Sequence, residues 1–287
     1  MYEIISKRVL NPSVTLMDIH APFVARKAEP GQFIILRTDS NGERIPLTVA
    51  GYDRAAGTVR IIFQTVGATT KKLAQMNLGD SLSDFAGPLG VPTHTEGLKN
   101  VCIVGGGVGC AIALPIAEKL KREGCTVTSI IGFRSKDLVI LEDEFGAASD
   151  ELIVMTDDGS HGEKGNVCLP LNRLFSEHRG FDKVIAIGPL VMMKFVVEAT
   201  RPTGIACDVS MNPIMIDGTG MCGGCRLTLN IDGKRVTKFA CVDGPDFNGY
   251  EVDFDEAISR SDMYRDFERH AYDNACNLLG KGGEQDA

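Results

Sequence analysis

Three cysteines and an aspartate on a glycine-rich stretch are the residues of this chain best suited to chemistry. The stretch reads IDGTGMCGGCRLTL, followed by FACVDGP, and it spaces Asp217, Cys222, Cys225 and Cys241 as D-x4-C-x2-C-x15-C. A cysteine at the first position would complete the plant-type [2Fe–2S] ligand spacing, C-x4-C-x2-C…C. Gly218, Gly220, Gly223 and Gly224 suit a loop that wraps such a cluster, because backbone N–H groups approach sulfur closely only where no side chain intervenes. The same residues also admit a Cys-x-x-Cys redox pair, a zinc knuckle, or a glycine turn that happens to hold cysteines. Zinc needs four ligands, usually closed by a second near pair or by histidines, and no histidine lies between His178 and His270. Electron transfer is the chemistry this pattern favours.

A second glycine segment, VGGGVGCA, places Gly105, Gly107 and Gly109 between an apolar run and a helix-compatible one. Strand, glycine turn and helix N-terminus together make an anion site, since free N–H groups point at the ligand. Cys110 stands where a strict G-x-G-x-x-G would carry its last glycine, so a ligand-free connector is the alternative to a nucleotide loop. At the end of the next apolar run, GFRSKD puts Arg134, Ser135 and Lys136 where an acid would otherwise hold a ribose hydroxyl. Basic residues there suit a 2′-phosphate, hence NADP, or are simply solvated.

Two earlier pieces pair a cation with a helix start. RIPLT sets Arg44, Pro46 and Thr48 at a strand edge, and VGATTKKL offers Gly67, Thr69 and Thr70 ahead of a helix. Arginine with helix-start hydroxyls and N–H groups could hold a pyrophosphate; taken singly, each is an ordinary strand edge or N-cap. TDDGSHGEKGNV, with Asp157, and IGPLVMMK, with Gly188 and Pro189, follow predicted parallel strands, where ligands bind in open α/β sheets. His161 has no neighbouring nucleophile in sequence and is assigned no catalytic role.

The elements that must position these residues follow from periodicity. Up to about Thr93 the chain alternates short β-branched runs (Ile4–Val9, Val14–Ile19, Phe33–Leu36, Leu47–Ala50, Val59–Thr65, Ser81–Phe85) with turn residues such as Pro30-Gly31 and Asn41-Gly42. That spacing predicts a small antiparallel barrel interrupted by a helix over Thr70–Met76. From Asn100 strands and helices alternate, which predicts a parallel sheet with helices on its faces. Beyond Tyr250 an acidic tail carries Phe254, Ile258, Met263, Tyr264, Phe267 and Ala271 at helical spacing.

The chain has 287 residues, 24% charged, with a net charge of −8. This length suits about two domains, and the acidic balance excludes a nucleic-acid binder. No run approaches a membrane span and no signal-peptide pattern opens the chain. Nine cysteines, an odd number, do not read as a secreted disulfide framework. Those outside the glycine segment are expected to be small buried residues of a cytoplasmic protein.

The ordered set RIPLT, VGATTKKL, GPLG, VGGGVGCA, GFRSKD, TDDGSHGEKG, IGPLVMM and DGTGMCGGCR…FACVDGP resembles the ferredoxin-reductase-like electron-transfer subunits over nearly the whole chain. That group includes the iron–sulfur flavoprotein subunit of class 1B dihydroorotate dehydrogenase and the small subunit of NADH-dependent ferredoxin:NADP+ oxidoreductase. The resemblance implies an FAD-binding β-barrel (1–97), a Rossmann-like nucleotide domain (98–208), a [2Fe–2S] module (209–250) and a helical tail (251–287). It implies that Arg44, Pro46, Leu47 and Thr48 contact the flavin, with Gly67, Thr69 and Thr70 near its pyrophosphate. Gly105, Gly107, Gly109, Arg134, Asp157, Gly188 and Pro189 would line the nucleotide site, and Asp217, Cys222, Cys225 and Cys241 would hold the cluster. An aspartate at the first ligand position is similar to the oxidoreductase small subunit, whereas the dihydroorotate-linked branch has four cysteines. The implied cofactors are FAD, [2Fe–2S] and NAD(H), against the local NADP indication of Arg134 and Lys136. The implied partner is a larger flavin and iron–sulfur subunit in a heterodimer, through which ferredoxin and NADP are reached. The alternatives are the dihydroorotate dehydrogenase electron-transfer subunit and a non-enzymatic nucleotide-binding module with a structural metal.

Overall fold

A computed structural model describes residues 2–263. The first strands are β1 (Tyr2–Asn11), β2 (Val14–His20), β3 (Phe33–Arg37), β4 (Ile45–Asp53), β5 (Thr58–Gln64), β6 (Ser81–Leu82) and β7 (Asp84–Leu89). They form one antiparallel sheet in the order β6-β1-β2-β5-β4-β3-β7, with helices α1 (Pro22–Ala25) and α2 (Ala68–Gln75) in the connections. Its two edges, β6 and β7, are separated in sequence only by Ser83, so the edges are drawn together and the sheet curls into a near-closed barrel. Such closure removes the exposed edges that invite aggregation. The run expected as one strand over Ser81–Phe85 is therefore two, divided where the Ser83 N–H donates to the Arg37 carbonyl at 3.0 Å.

Strand alternation explains why both faces of these runs are apolar. Met17, Ile19, Ile34, Leu36, Ile61 and Phe63 point into the barrel core. Their neighbours Leu16 and Ile62 pack outward under the nucleotide domain, while Phe33 and Ile35 join the core that reaches the cysteine segment. Side chains two apart share a face, so one sequence run glues three units together.

The second unit contains β8 (Asn100–Gly106), α3 (Cys110–Arg122), β9 (Thr126–Phe133), α4 (Glu142–Ala148), β10 (Glu151–Thr156), β11 (Glu163–Lys164), α5 (Cys168–Ser176), β12 (Lys183–Ile187), α6 (Leu190–Thr200) and β13 (Ala206–Ser210). A hairpin of β14 (Arg226–Ile231) and β15 (Lys234–Phe239) follows, then β16 (Asp246–Asn248) and α7 (Phe254–Asp262). The sheet order is β11-β10-β9-β8-β12-β13-β16, parallel except for β16. Chain order reverses between β8 and β12, which opens a crevice at the carboxyl ends of the strands.

The expected division at residue 208 meets a continuous structure. β13 runs on to Ser210, and β16 returns from the cysteine segment to pair with it through Val209↔Phe247. The cysteine segment is thus built onto the edge of the nucleotide sheet. Helix α7 starts where the Asp253 side chain accepts the Glu256 N–H, an N-cap of the usual kind. The periodic tail residues Phe254 and Ile258 fall in it, and Tyr264, Phe267 and Ala271 lie outside the described residues. Among the described residues no helix is long and apolar enough to cross a membrane.

Candidate functional site

A cleft of about 1100 Å³ runs between the barrel and the carboxyl edge of the parallel sheet. Pro46 and Thr48 of β4 face it from the barrel, and Gly107, Gly109, Arg134, Asp157, Gly188 and Pro189 from the sheet. Eight residues expected at a cofactor site are thereby brought to one space. Arg44, Leu47, Gly67, Thr69, Thr70 and Gly105 are not part of its lining.

The glycines divide by role. A Cβ on Gly105 would stand 2.9 Å from Cys110 Sγ, and one on Gly109 would stand 2.5 Å from the Ile187 carbonyl oxygen. Both therefore serve close packing of β8 and α3 against their neighbours. Gly107 is different: its φ is +54° and nothing would meet a Cβ there within 4 Å. Its backbone borders open space at the start of α3, as an anion-binding turn requires. Gly188 lies between the two cases, packed against Met192 and Gly106 while still facing the cleft.

At the start of α2 the hydroxyls are engaged within the chain. Thr70 Oγ1 accepts the N–H groups of Val66 and Gly67 at 3.0 Å each, and Thr69 donates to Glu43 Oε2 at 3.0 Å. His161 is held by Glu142 (Nε2 to Oε2, 2.8 Å), outside the cleft. Burial pushes the thiols of Cys102, Cys110, Cys125, Cys168 and Cys207 up, in keeping with unreactive packing groups.

Sequence reasoning missed several lining residues: Ser13 and Gln64 on the barrel side, Asn172 on α5, and the run Met211, Asn212, Pro213 and Met215 after β13. The last run was findable, because it follows a parallel strand at the carboxyl edge where ligands bind.

The cysteine segment sits against the barrel. Gly218 (φ +74°) comes so near that a Cβ would be 2.7 Å from Ile35 Cδ1. Cys225 and Cys241 are buried with their sulfurs 3.1 Å apart, and Cys222 is exposed. Burial, and then the adjacent Cys225 thiol, push Cys241 up to about 12. Asp217 accepts the N–H groups of Thr219 and Cys222 at 2.9 Å each, which hold its carboxyl below the usual carboxylate range. Among the described residues no three such side chains surround one point. The donor set still suits an iron–sulfur group of soft thiols and one carboxylate: Asp217, Cys222 and Cys225 share a loop whose Gly218, Gly220 and Gly223 all adopt positive φ, and Cys241 meets Cys225 from the turn after β15.

Residues 212–253 match the iron–sulfur cluster binding domain of dihydroorotate dehydrogenase B. The chain is 46% identical over 279 residues to the Thermotoga maritima "Dihydroorotate dehydrogenase B (NAD(+)), electron transfer subunit homolog", covering 97% of each chain. This chain belongs to the dihydroorotate dehydrogenase B-type electron-transfer subunit family. A more distant member, the electron transfer subunit of Desulforamulus reducens dihydroorotate dehydrogenase B, is 30% identical over 258 residues, 87% of this chain and 96% of that one. Among solved structures, a chain of the NADH-dependent reduced ferredoxin-NADP oxidoreductase superposes with a TM-score of 0.89 at 46% identity, covering 96% of this chain and 97% of that one. Membership classes the protein with oxidoreductase electron-transfer subunits.

Proposed function

We propose that this chain is the small electron-transfer subunit of an NADH-dependent reduced ferredoxin:NADP+ oxidoreductase. The observation that carries this is the end-to-end likeness to a chain of that complex, which spans the barrel, the cleft and the cysteine segment together. When bound, FAD exchanges a hydride with NAD(H), and a [2Fe–2S] cluster passes electrons one at a time to a larger partner.

The chain's own residues supply binding and position. Barrel residues 1–97 would hold FAD: Pro46, Leu47 and Thr48 along the β4 edge, Arg44 and the N–H groups of Gly67, Thr69 and Thr70 at the pyrophosphate. Thr69 would then exchange its Glu43 partner for the phosphate. In residues 98–208, Gly107 and the start of α3 would take the nucleotide pyrophosphate, with Arg134 and Asp157 toward the ribose. Gly188 and Pro189 would border the nicotinamide, and Gly105 and Gly109 hold the loop in place. Asp217, Cys222, Cys225 and Cys241 would hold the cluster in residues 209–250. Exposed Ile216 and Val242 flank this loop beside Cys222 and Gly220, and Met221 is 88% exposed. Such an apolar rim suits docking of the larger subunit.

Anaerobically purified protein should show flavin and iron–sulfur absorbance, and should reduce an artificial acceptor with NADH but not couple ferredoxin to NADP+. NADH should have the higher kcat/KM; a preference for NADPH that falls in Arg134→Ala would reverse the nucleotide assignment. Coupled activity from the chain alone would refute the division between subunits, and a colourless zinc protein would refute the redox reading.

The family also supports the electron-transfer subunit of dihydroorotate dehydrogenase B. Copurification decides: a dihydroorotate-oxidising partner in place of a ferredoxin- and NADP-linked one would establish it.

A further inference from the structure

The turn between Cys222 and Cys225 is two glycines, and each glycine carbonyl receives a guanidinium. Arg226 Nη1 donates to the Gly223 oxygen at 3.4 Å, and Arg260 Nη2, arriving from the last turn of α7, donates to the Gly224 oxygen at 3.4 Å. The Gly223 carbonyl and the Gly224 N–H belong to one peptide unit, and that N–H is directed at Cys222 Sγ, 3.4 Å away. A cation on the oxygen end of a peptide polarises it and strengthens its N–H as a donor. The chain from Arg226 to the Cys222 sulfur is therefore a relay through a single amide.

Gly223 holds φ +68°, a conformation that side-chain-bearing residues adopt at a cost, so the turn is shaped to present these groups. The two cations also run against the overall charge of −8. Arg260 is brought in by a helix fixed elsewhere: α7 packs on α6 and β14 and buries Phe254 and Ala257. Hydrogen bonds to sulfur and nearby charge are the protein's main levers on an iron–sulfur potential.

We propose that Arg226 and Arg260 form a paired clamp on the Gly223–Gly224 turn, positioning residues that raise the reduction potential of the group held there, Arg226 by strengthening the N–H···S contact to Cys222 and Arg260 by its positive charge on the following peptide. This rests on the [2Fe–2S] reading given above. Their positive charge favours the more negative, reduced state, so their loss moves the midpoint downward. Arg260 is half-buried and less screened by solvent and salt than the exposed Arg226; Arg226 acts on the peptide that touches the sulfur.

The test is an anaerobic redox titration of the full chain, followed by electron paramagnetic resonance, with iron counts on every protein. Arg226→Met and Arg260→Met should each shift the midpoint negative, and the double variant further than either. Arg235→Met, which removes a cation paired with Asp253 and Glu256, should shift it less than either. If the methionine variants shed iron, Arg226→Lys and Arg260→Lys are read instead; they keep the charge without the fork and should give smaller negative shifts. Unmoved midpoints in iron-replete variants, or an Arg235→Met shift as large as the others, would overturn the clamp alone. Wild-type protein that takes up no iron would overturn the cluster reading and the clamp with it.

Discussion

Thr93 and Asp246, 153 positions apart in sequence, are joined by a 2.5 Å hydrogen bond from the threonine hydroxyl to Asp246 Oδ2. Asp246 lies on β16 opposite Ser210 of β13, and its Oδ1 is buried without a hydrogen-bond partner among the described residues. Ser210 and the adjacent Pro245 both face the cleft. The segment leaving the barrel, the nucleotide sheet and the cysteine segment are thus pinned together at one acid.

Burial pushes the Asp246 carboxyl up to about 6 from an ordinary 3.8, with Asp208 adding to the rise and Thr93, Ser210 and Lys183 opposing it. The folded protein therefore holds a proton here, between those two values, that the unfolded chain has released. Stability contributed by this site is highest below about pH 4, declines as pH rises to about 6, and is level above that. Asp246→Asn should flatten this slope and stabilise the protein at pH 7 by on the order of 1–3 kcal/mol. Denaturant unfolding of the two proteins at pH 4.5 and 7, conditions chosen as roughly the ends of that window, measures it. An unchanged slope would show that the site does not titrate in the window.

Gly109 and Gly107 should separate packing from binding. Gly109→Ala forces a methyl to 2.5 Å from the Ile187 oxygen and should cost about 1–3 kcal/mol of stability without any nucleotide present. Gly107→Ala meets no atom but must keep φ +54°, which costs about 1–2 kcal/mol unless the turn relaxes. Its main effect should be a loss of nucleotide affinity of roughly tenfold, equal to about 1.4 kcal/mol. Unfolding curves and nucleotide titrations on both variants decide; equal affinity losses would remove the distinction.

That distinction shows what the residue string carries and what it hides. The strand–glycine–helix grammar at Val101–Arg122 is local, so β8, its turn and α3 were legible. Whether Gly109 binds a phosphate or clears a path for β12 depends on Ile187, which only the folded sheet brings near. The barrel strands were legible from alternation, yet the break at Ser83 follows from closing the sheet, a long-range demand with no local mark. β16 was missed for the same reason: three residues beside a proline become a strand only because β13 offers a free edge. The four spaced ligand candidates were the plainest signal, although their spacing said nothing of Arg260, which approaches the loop from α7.

The apolar rim around the cysteine loop should be where the larger subunit docks. Ile216→Asp or Met221→Asp would place a charge among exposed apolar side chains without touching the cleft lining. Either should weaken association by at least roughly tenfold, about 1.4 kcal/mol, while NADH oxidation with an artificial acceptor stays near wild type. Sedimentation or interferometry with the purified partner measures the first quantity and a diaphorase assay the second. Full-strength association in both variants would move the interface elsewhere on the chain.

Asp217 carries two roles that substitution can part. Its carboxylate caps the loop by accepting the Thr219 and Cys222 N–H groups, and it is the proposed fourth ligand of the cluster. Because those N–H groups hold its pKa below 3.8, the contribution of the charged form is present above that value and is lost only as pH falls below it. Iron retention should therefore be insensitive to this group from neutral pH down to about pH 4. Asp217→Cys restores the four-cysteine spacing and should keep iron with an altered spectrum. Asp217→Ala removes both roles and should lose most of its iron, leaving flavin content unchanged. Asp217→Asn keeps one oxygen for the loop N–H groups but gives up the negative ligand, and should fall between them. Wild-type iron content and an unchanged resonance signal in Asp217→Ala would mean that the carboxylate only caps the loop. A fourth ligand would then have to be sought elsewhere, and Cys207, the nearest other cysteine in sequence, lies buried on β13 of the parallel sheet.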